Sequence, residues 1–130
     1  AVFHIFPYDF LVGAWIACED VTADSGPLVI YPGSHRAGLF PLFDDYPQTN
    51  LRTADDAQSA AYQTWIDEVA THYPRHEFLA RKGDVLLWHG MLIHGGVPVA
   101  RRGTTRKSFV LHFTVRGADR AREVRGPFNW

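Results

Sequence analysis

The segment RKSFVLHFTV, residues 106 to 115, constrains the fold more than any other stretch of the chain. Side chains of an extended strand alternate between faces. Arg106, Ser108, Val110, His112 and Thr114 therefore share one side, and Lys107, Phe109, Leu111, Phe113 and Val115 the other. The second set reads as a core face. The first is more polar and begins with a fixed positive charge, as expected of a sheet curled around a wet interior. On that reading Arg106 points into a pocket. A planar guanidinium there grips a carboxylate with two parallel hydrogen bonds, and the Ser108 hydroxyl adds a further contact. Taken on this strand alone, a solvated arginine at a strand start is the plainer alternative.

Three more segments carry the same signature of short, β-branched or aromatic runs bounded by Gly, Pro or Asp: FLVGAWIACE (10–19), PLVIYP (27–32) and GDVLLWH (83–89). One stretch differs. In ADDAQSAAYQTWIDEVATHY (54–73) Ala57, Ala61, Trp65 and Val69 recur every fourth residue behind an Asp-rich start, which predicts an amphipathic helix ended by Pro74. Between PGSH and that helix, RAGLFPLFDDYPQTNLRT lacks periodicity and reads as a long excursion, the kind of loop that covers a site or carries function. The expectation is a mainly β protein, a jelly roll with one helix in an excursion, forming a single domain over residues 1–130.

Charge and composition narrow the partners. With 130 residues, 46% of them hydrophobic, the chain can build one modest core. A net charge of −1 offers no overall attraction for nucleic acid or a membrane surface, so a small-molecule partner is expected. The sole cysteine, Cys18, lies in an apolar run, reads as a small core residue and points to a reducing, cytoplasmic setting. No apolar run reaches the roughly 18 residues a membrane span needs.

His94, in GDVLLWHGMLIHGG, stands at the expected end of the strand that starts at Gly83. Histidine is the commonest holder of a transition metal, and Gly95 and Gly96 leave room for a ligand to approach. A satisfied core histidine is the alternative. The ordered blocks VGAWIACEDVTADSGPLVIYPGSHR, KGDVLLWHGMLIHGG and TTRKSFVLHF together resemble the phytanoyl-CoA dioxygenase family of iron(II)- and 2-oxoglutarate-dependent oxygenases. The resemblance spans roughly residues 8 to 115 apart from the 37–78 excursion. It implies a double-stranded β-helix, the cupin-like jelly roll, with iron held by a His-x-Asp pair and a distal histidine. The distal histidine falls on His94, the arginine anchoring the far carboxylate of 2-oxoglutarate on Arg106, and a pocket-lining position on Trp15. Where Gly96 stands, family members often have a serine. Two histidines and a carboxylate on one face of an octahedral iron leave three positions, two for the 2-oxo acid and one for O2.

The His-x-Asp pair itself is expected just before FLVGAWIACE, where this chain has only His4 and Asp9, five residues apart. The family pattern puts the pair immediately upstream of Ala1. A chain that opens on apolar residues without Met fits that, so a C-terminal part of an oxygenase is expected, with a metal-free jelly-roll binding module as the alternative. His89 is expected to be structural, His35 to lie near the pocket mouth, and His72 and His76 to complement a helix end. RRGTTRK reads as a solvated turn in preference to a phosphate site, and RGADRAREVRG as a surface tail.

Overall fold

Two antiparallel three-stranded sheets face each other in the computed structural model, which describes residues 10–38, 40 and 56–116. The elements are β1 (Val12–Ala17), β2 (Leu28–Ile30), α1 (Asp56–Ala70), β3 (His76–Phe78), β4 (Val85–His89), β5 (His94–Gly96) and β6 (Ser108–Phe113). One sheet runs β4-β1-β6 and the other β3-β2-β5, so consecutive strands alternate between the sheets except β2 and β3, which pair within the second. That is the strand exchange of a double-stranded β-helix. All four segments read as strands form strands, and the 54–73 periodicity yields α1. The sequence reading lacked β3 and treated His94 as a strand end; it is instead the first residue of β5, in the opposite sheet from β4. The turn at Gly90 and Met91 makes the crossing, with the Leu92 N–H returning to the His89 carbonyl at 2.9 Å.

Register defines the inner faces, because directly paired residues point the same way. On the large sheet Gly13 lies between Trp88 and His112, Trp15 between Leu86 and Val110, and Ala17 beside Ser108. On the small sheet Leu28 pairs with Phe78 and Gly96, and Ile30 with His76 and His94. Trp15, Ala17, Val21 and Ala80 form the buried core, packed by Leu28, Phe78, Leu86 and Trp88. The Trp15 ring meets Phe78 edge-on at 5.9 Å, joining the two sheets. Gly13 is required by packing: a Cβ there would lie 2.3 Å from the Trp88 ring.

Two expectations are corrected. Phe109, Leu111 and Phe113 do not form the core; with Val12, Val85 and Leu87 they make the outer face of β4-β1-β6, and Leu87 is 65% exposed and Phe109 59%. Val115, assigned to the same core face, is exposed as well. Alternation separates two faces without saying which one is covered, and the bulk of Trp15 and Trp88 decides that the core lies on the other side. Cys18 is exposed because β1 ends at Ala17 and leaves it in the following bend.

The α1 helix turns Ala61, Tyr62, Trp65, Ile66, Val69 and Ala70 inward, each half-buried, and none of its residues is fully buried. Tyr62 and Trp65 hold Phe40 at 5.4 and 5.6 Å, which pins the helix to the end of the PGSH segment. Among the described residues no helix is long and apolar enough to cross a membrane.

Candidate active site

The PGSH turn and β5 build one side of the site. Gly33, at φ +94°, adopts a left-handed conformation that opens the short 3-10 turn Ser34–Arg36. Buried Ser34 accepts the Ile93 N–H on its hydroxyl at 2.8 Å, while the Ile93 carbonyl accepts the Tyr31 N–H at 3.1 Å. Both backbone groups of the residue before His94 are thereby held. His94 Nδ1 lies 2.8 Å from the Leu92 carbonyl. A carbonyl oxygen can only accept, so Nδ1 carries the proton and Nε2 keeps the lone pair in the neutral ring. That is the tautomer a metal-binding histidine uses, with its other nitrogen tied to a backbone carbonyl.

Two residues along β5, on the same face as His94, the absent side chain of Gly96 makes room for a guanidinium. A Cβ on Gly96 would stand 3.2 Å from Arg106 Nη1 and 3.3 Å from Nη2. Arg106 also donates to the Gly26 carbonyl. His94 and the Arg106 guanidinium thus lie on one face of the small sheet, the guanidinium over Gly96, which stands about 7 Å along the strand from His94 by the rise of two residues. Trp15 approaches the Phe78–Leu28–Gly96 row from the large sheet, and half-buried Ser108 sits opposite Ala17 on the same inner face as Trp15.

Two inner-face residues received no role from the sequence. Trp88 lies 5.2 Å from the His94 ring and 6.4 Å from His112. Partial burial holds the His112 imidazole below its ordinary pKa, and the neighbouring His94 adds to the effect. Parity already placed His112 on the Arg106 face. Trp88 could be found only by register, since Gly13 opposite it is what makes the space.

Of the other histidines, His76 departs from expectation. His89 accepts the Met91 N–H on Nδ1 at 3.1 Å, a structural bond, and its ring sits 5.3 Å from His35. His76 opens β3, so it is a strand residue and does not belong to the helix end; it stands two strands from His94 across Ile30, about 10 Å away. His72 remains in the turn after α1. Thr104 and Thr105 of RRGTTRK are hydrogen-bonded and the segment is a turn. His4, Asp9 and the RGADRAREVRG tail from Gly117 onward lie outside the described residues. A groove of about 300 Å³ bounded by Tyr31, Asp67, Ala70, Thr71, Tyr73 and Arg75 lies at the end of α1, and neither His94 nor Arg106 lines it. Among the described residues no group of three or more His, Cys, Asp or Glu is gathered to hold a metal.

The Phytanoyl-CoA dioxygenase (PhyH) family model matches residues 1–107. The chain belongs to the phytanoyl-CoA dioxygenase family. It is 32% identical over 113 residues to the peroxisomal phytanoyl-CoA dioxygenase of Mus musculus, covering 85% of this chain and 31% of that one. A probable phytanoyl-CoA dioxygenase of Caenorhabditis elegans is 32% identical over 111 residues, covering 85% of this chain and 33% of the relative. The chain therefore spans about a third of the length of these relatives. Among solved structures, AviO1 from Streptomyces viridochromogenes superposes with a TM-score of 0.57 at 24% identity, covering 85% of this chain and 39% of that one. The non-heme alpha ketoglutarate dependent carbocyclase SnoK from nogalamycin biosynthesis gives 0.51 at 24% identity, covering 78% and 35%. These likenesses agree with the double-stranded β-helix built above. For this phytanoyl-CoA dioxygenase family member, the position expected for an anchoring arginine lies beside the strand that carries the expected distal histidine.

Proposed function

We propose that this chain is the cosubstrate-binding part of an iron(II)- and 2-oxoglutarate-dependent dioxygenase that hydroxylates a small organic substrate. The observation that carries the reading is the shared face of β5: a histidine presenting Nε2 and, two residues on, a guanidinium over a glycine. His94 is one iron ligand. Arg106 takes the far carboxylate of 2-oxoglutarate, Ser108 adds a hydroxyl, and Trp15 closes the pocket wall. The chemistry supplied when iron(II) is bound is the coupling of 2-oxoglutarate and O2 to a C–H bond, giving succinate, CO2 and an alcohol. The chain's own share is positional. Arg106 fixes which end of the diacid points inward, the Leu92 carbonyl keeps the His94 proton on Nδ1, and Trp88 packs beside the His94 ring. The cytoplasm fits the single cysteine, and the peroxisome is the alternative raised by the mouse relative's name.

The test uses the full-length encoded protein. Arg106→Lys keeps the charge but exchanges a planar fork for one ammonium. With a charged hydrogen bond worth roughly 1.5 to 3 kcal/mol, the dissociation constant for 2-oxoglutarate should rise about 10-fold to 100-fold while Mn(II) affinity holds. His94→Ala should abolish tight Mn(II) binding. Unchanged 2-oxoglutarate affinity in both Arg106→Lys and Arg106→Ala would remove Arg106 as the anchor. Unchanged Mn(II) affinity in His94→Ala would remove His94 as a ligand, and a full-length parent that does not bind Mn(II) would favour the metal-free binding module.

A further inference from the structure

The segment that presents Arg106 is held from outside the pocket by one carboxylate. Glu19 Oε1 accepts the Thr105 hydroxyl at 2.7 Å and the Lys107 N–H at 2.7 Å, so it grips the residue on each side of Arg106. The same stretch adds a backbone bond, Cys18 N–H to the Lys107 carbonyl at 2.9 Å. Upstream, the Asp24 carbonyl accepts the N–H groups of Ala100 and Arg101 at 3.0 and 3.2 Å and the Thr104 hydroxyl at 3.2 Å. The Arg106 guanidinium itself ends on the Gly26 carbonyl. Residues 18–26 are therefore a cradle for residues 100–107, and its two ends meet Arg106 differently: Gly26 orients the guanidinium, Glu19 the backbone that carries it.

We propose that Glu19 is the positioning residue for Arg106, fixing the backbone of Thr105–Lys107 so that the guanidinium reaches over Gly96 toward an acidic ligand of His94's face. The proposal rests on the reading of Arg106 as the anchor of a dicarboxylate. Glu19 touches neither the ligand face nor the guanidinium, and its 4.0 Å approach to the 74% exposed Lys107 ammonium is too loose and too wet to be its purpose. What the geometry uses is the bifurcated acceptor. The carboxyl is accordingly more acidic than usual, first through the Thr105 hydroxyl and then through the Lys107 N–H. An amide oxygen can accept the same two hydrogens, so Gln should serve where Ala cannot.

The experiment measures binding of 2-oxoglutarate and of 2-oxobutyrate, which lacks the far carboxylate, to the full-length protein loaded with Mn(II). In Glu19→Ala the dissociation constant for 2-oxoglutarate should rise about 10-fold, the scale of one charged hydrogen bond lost at the clamp. That for 2-oxobutyrate should stay put, and Glu19→Gln should match the parent on both. Thr105→Val, which removes only one of the two side-chain-directed donors, should give a smaller rise confined to 2-oxoglutarate; it decides the matter if Glu19→Ala does not fold. Arg106→Ala is the reference. If it leaves 2-oxoglutarate binding unchanged, the anchor reading is wrong and the proposal falls with it. If Arg106→Ala weakens 2-oxoglutarate but Glu19→Ala and Thr105→Val do not, or weaken both acids equally, Glu19 is a structural tie and the positioning role alone is overturned.

Discussion

At the residue scale, two glycines decide what their neighbours can do, each through space and not through backbone freedom. Trp88 occupies the place where a side chain on Gly13 would be, with a Cβ 2.3 Å from its ring. The ring is flanked by His94 at 5.2 Å and His112 at 6.4 Å. Gly13→Ala should therefore destabilise the fold by about 1 to 3 kcal/mol, the usual scale of overpacking, read as a lower urea midpoint at unchanged slope. At Gly96 the obstructed atoms are the mobile end of Arg106, at 3.2 Å, so Gly96→Ala should leave stability nearly unchanged. Its expected effect is on 2-oxoglutarate affinity in the full-length protein, lowered as the guanidinium is pushed aside. Equal losses of stability from both substitutions would contradict the distinction. Trp15, 3% exposed at the junction of the sheets, should cost about 3 to 5 kcal/mol on replacement by Ala.

At the element scale, the entry to β6 depends on an ionised carboxylate. The hydrogen bonds from Thr105 and Lys107 hold the Glu19 pKa below its ordinary value of 4.5. A carboxyl depressed in the folded state contributes stability above its unfolded pKa and loses it as pH falls through the folded one. The tie should be complete at neutral pH and loosen only in acid, below pH 4.5. Amide exchange at Lys107, compared with a β1 amide under the same conditions, should accelerate selectively on acidification. In Glu19→Gln that acid-specific acceleration should vanish. The α1 helix rests on a different device, the aromatic trio Phe40, Tyr62 and Trp65, where burial also pushes the Tyr62 phenol pKa up. Trp65→Ala should strip α1 from the sheets, seen as lost helical circular dichroism with the strands retained.

At the scale of the whole molecule, the inner faces are committed to the core and the site, and the outer face of β4-β1-β6 is apolar and open. Val12, Val85, Leu87, Phe109, Leu111 and Phe113 lie in adjacent register on it. Contiguous apolar surface of that kind marks a contact face or an aggregation liability. The 130-residue chain by itself should bind the dye ANS strongly, and Leu87→Lys with Phe109→Lys should cut the signal by more than half without lowering β content. Dye binding unaffected by the pair would place the exposed apolar surface elsewhere.

Four of the strand segments, the α1 helix, the face shared by Arg106, Ser108 and His112, and the family were legible in the residues alone, because alternation, turn chemistry and motif order are properties of consecutive positions. The role of Glu19 was not, since Thr105 and Lys107 lie 86 and 88 residues away along the chain and meet it only after the loop before β6 folds back. Nor was the exposure of Phe109, Leu111 and Phe113. A period of two divides a strand into faces, and only the packing of the second sheet against Trp15 and Trp88 says which face is turned to water. His94 shows both limits at once. Its residue type and its glycines made it a candidate ligand in the sequence, while the crossing at Gly90 that moves it to the small sheet, beside Arg106, was decided by tertiary hydrogen bonds, the Ile93 N–H to the Ser34 hydroxyl and the Tyr31 N–H to the Ile93 carbonyl.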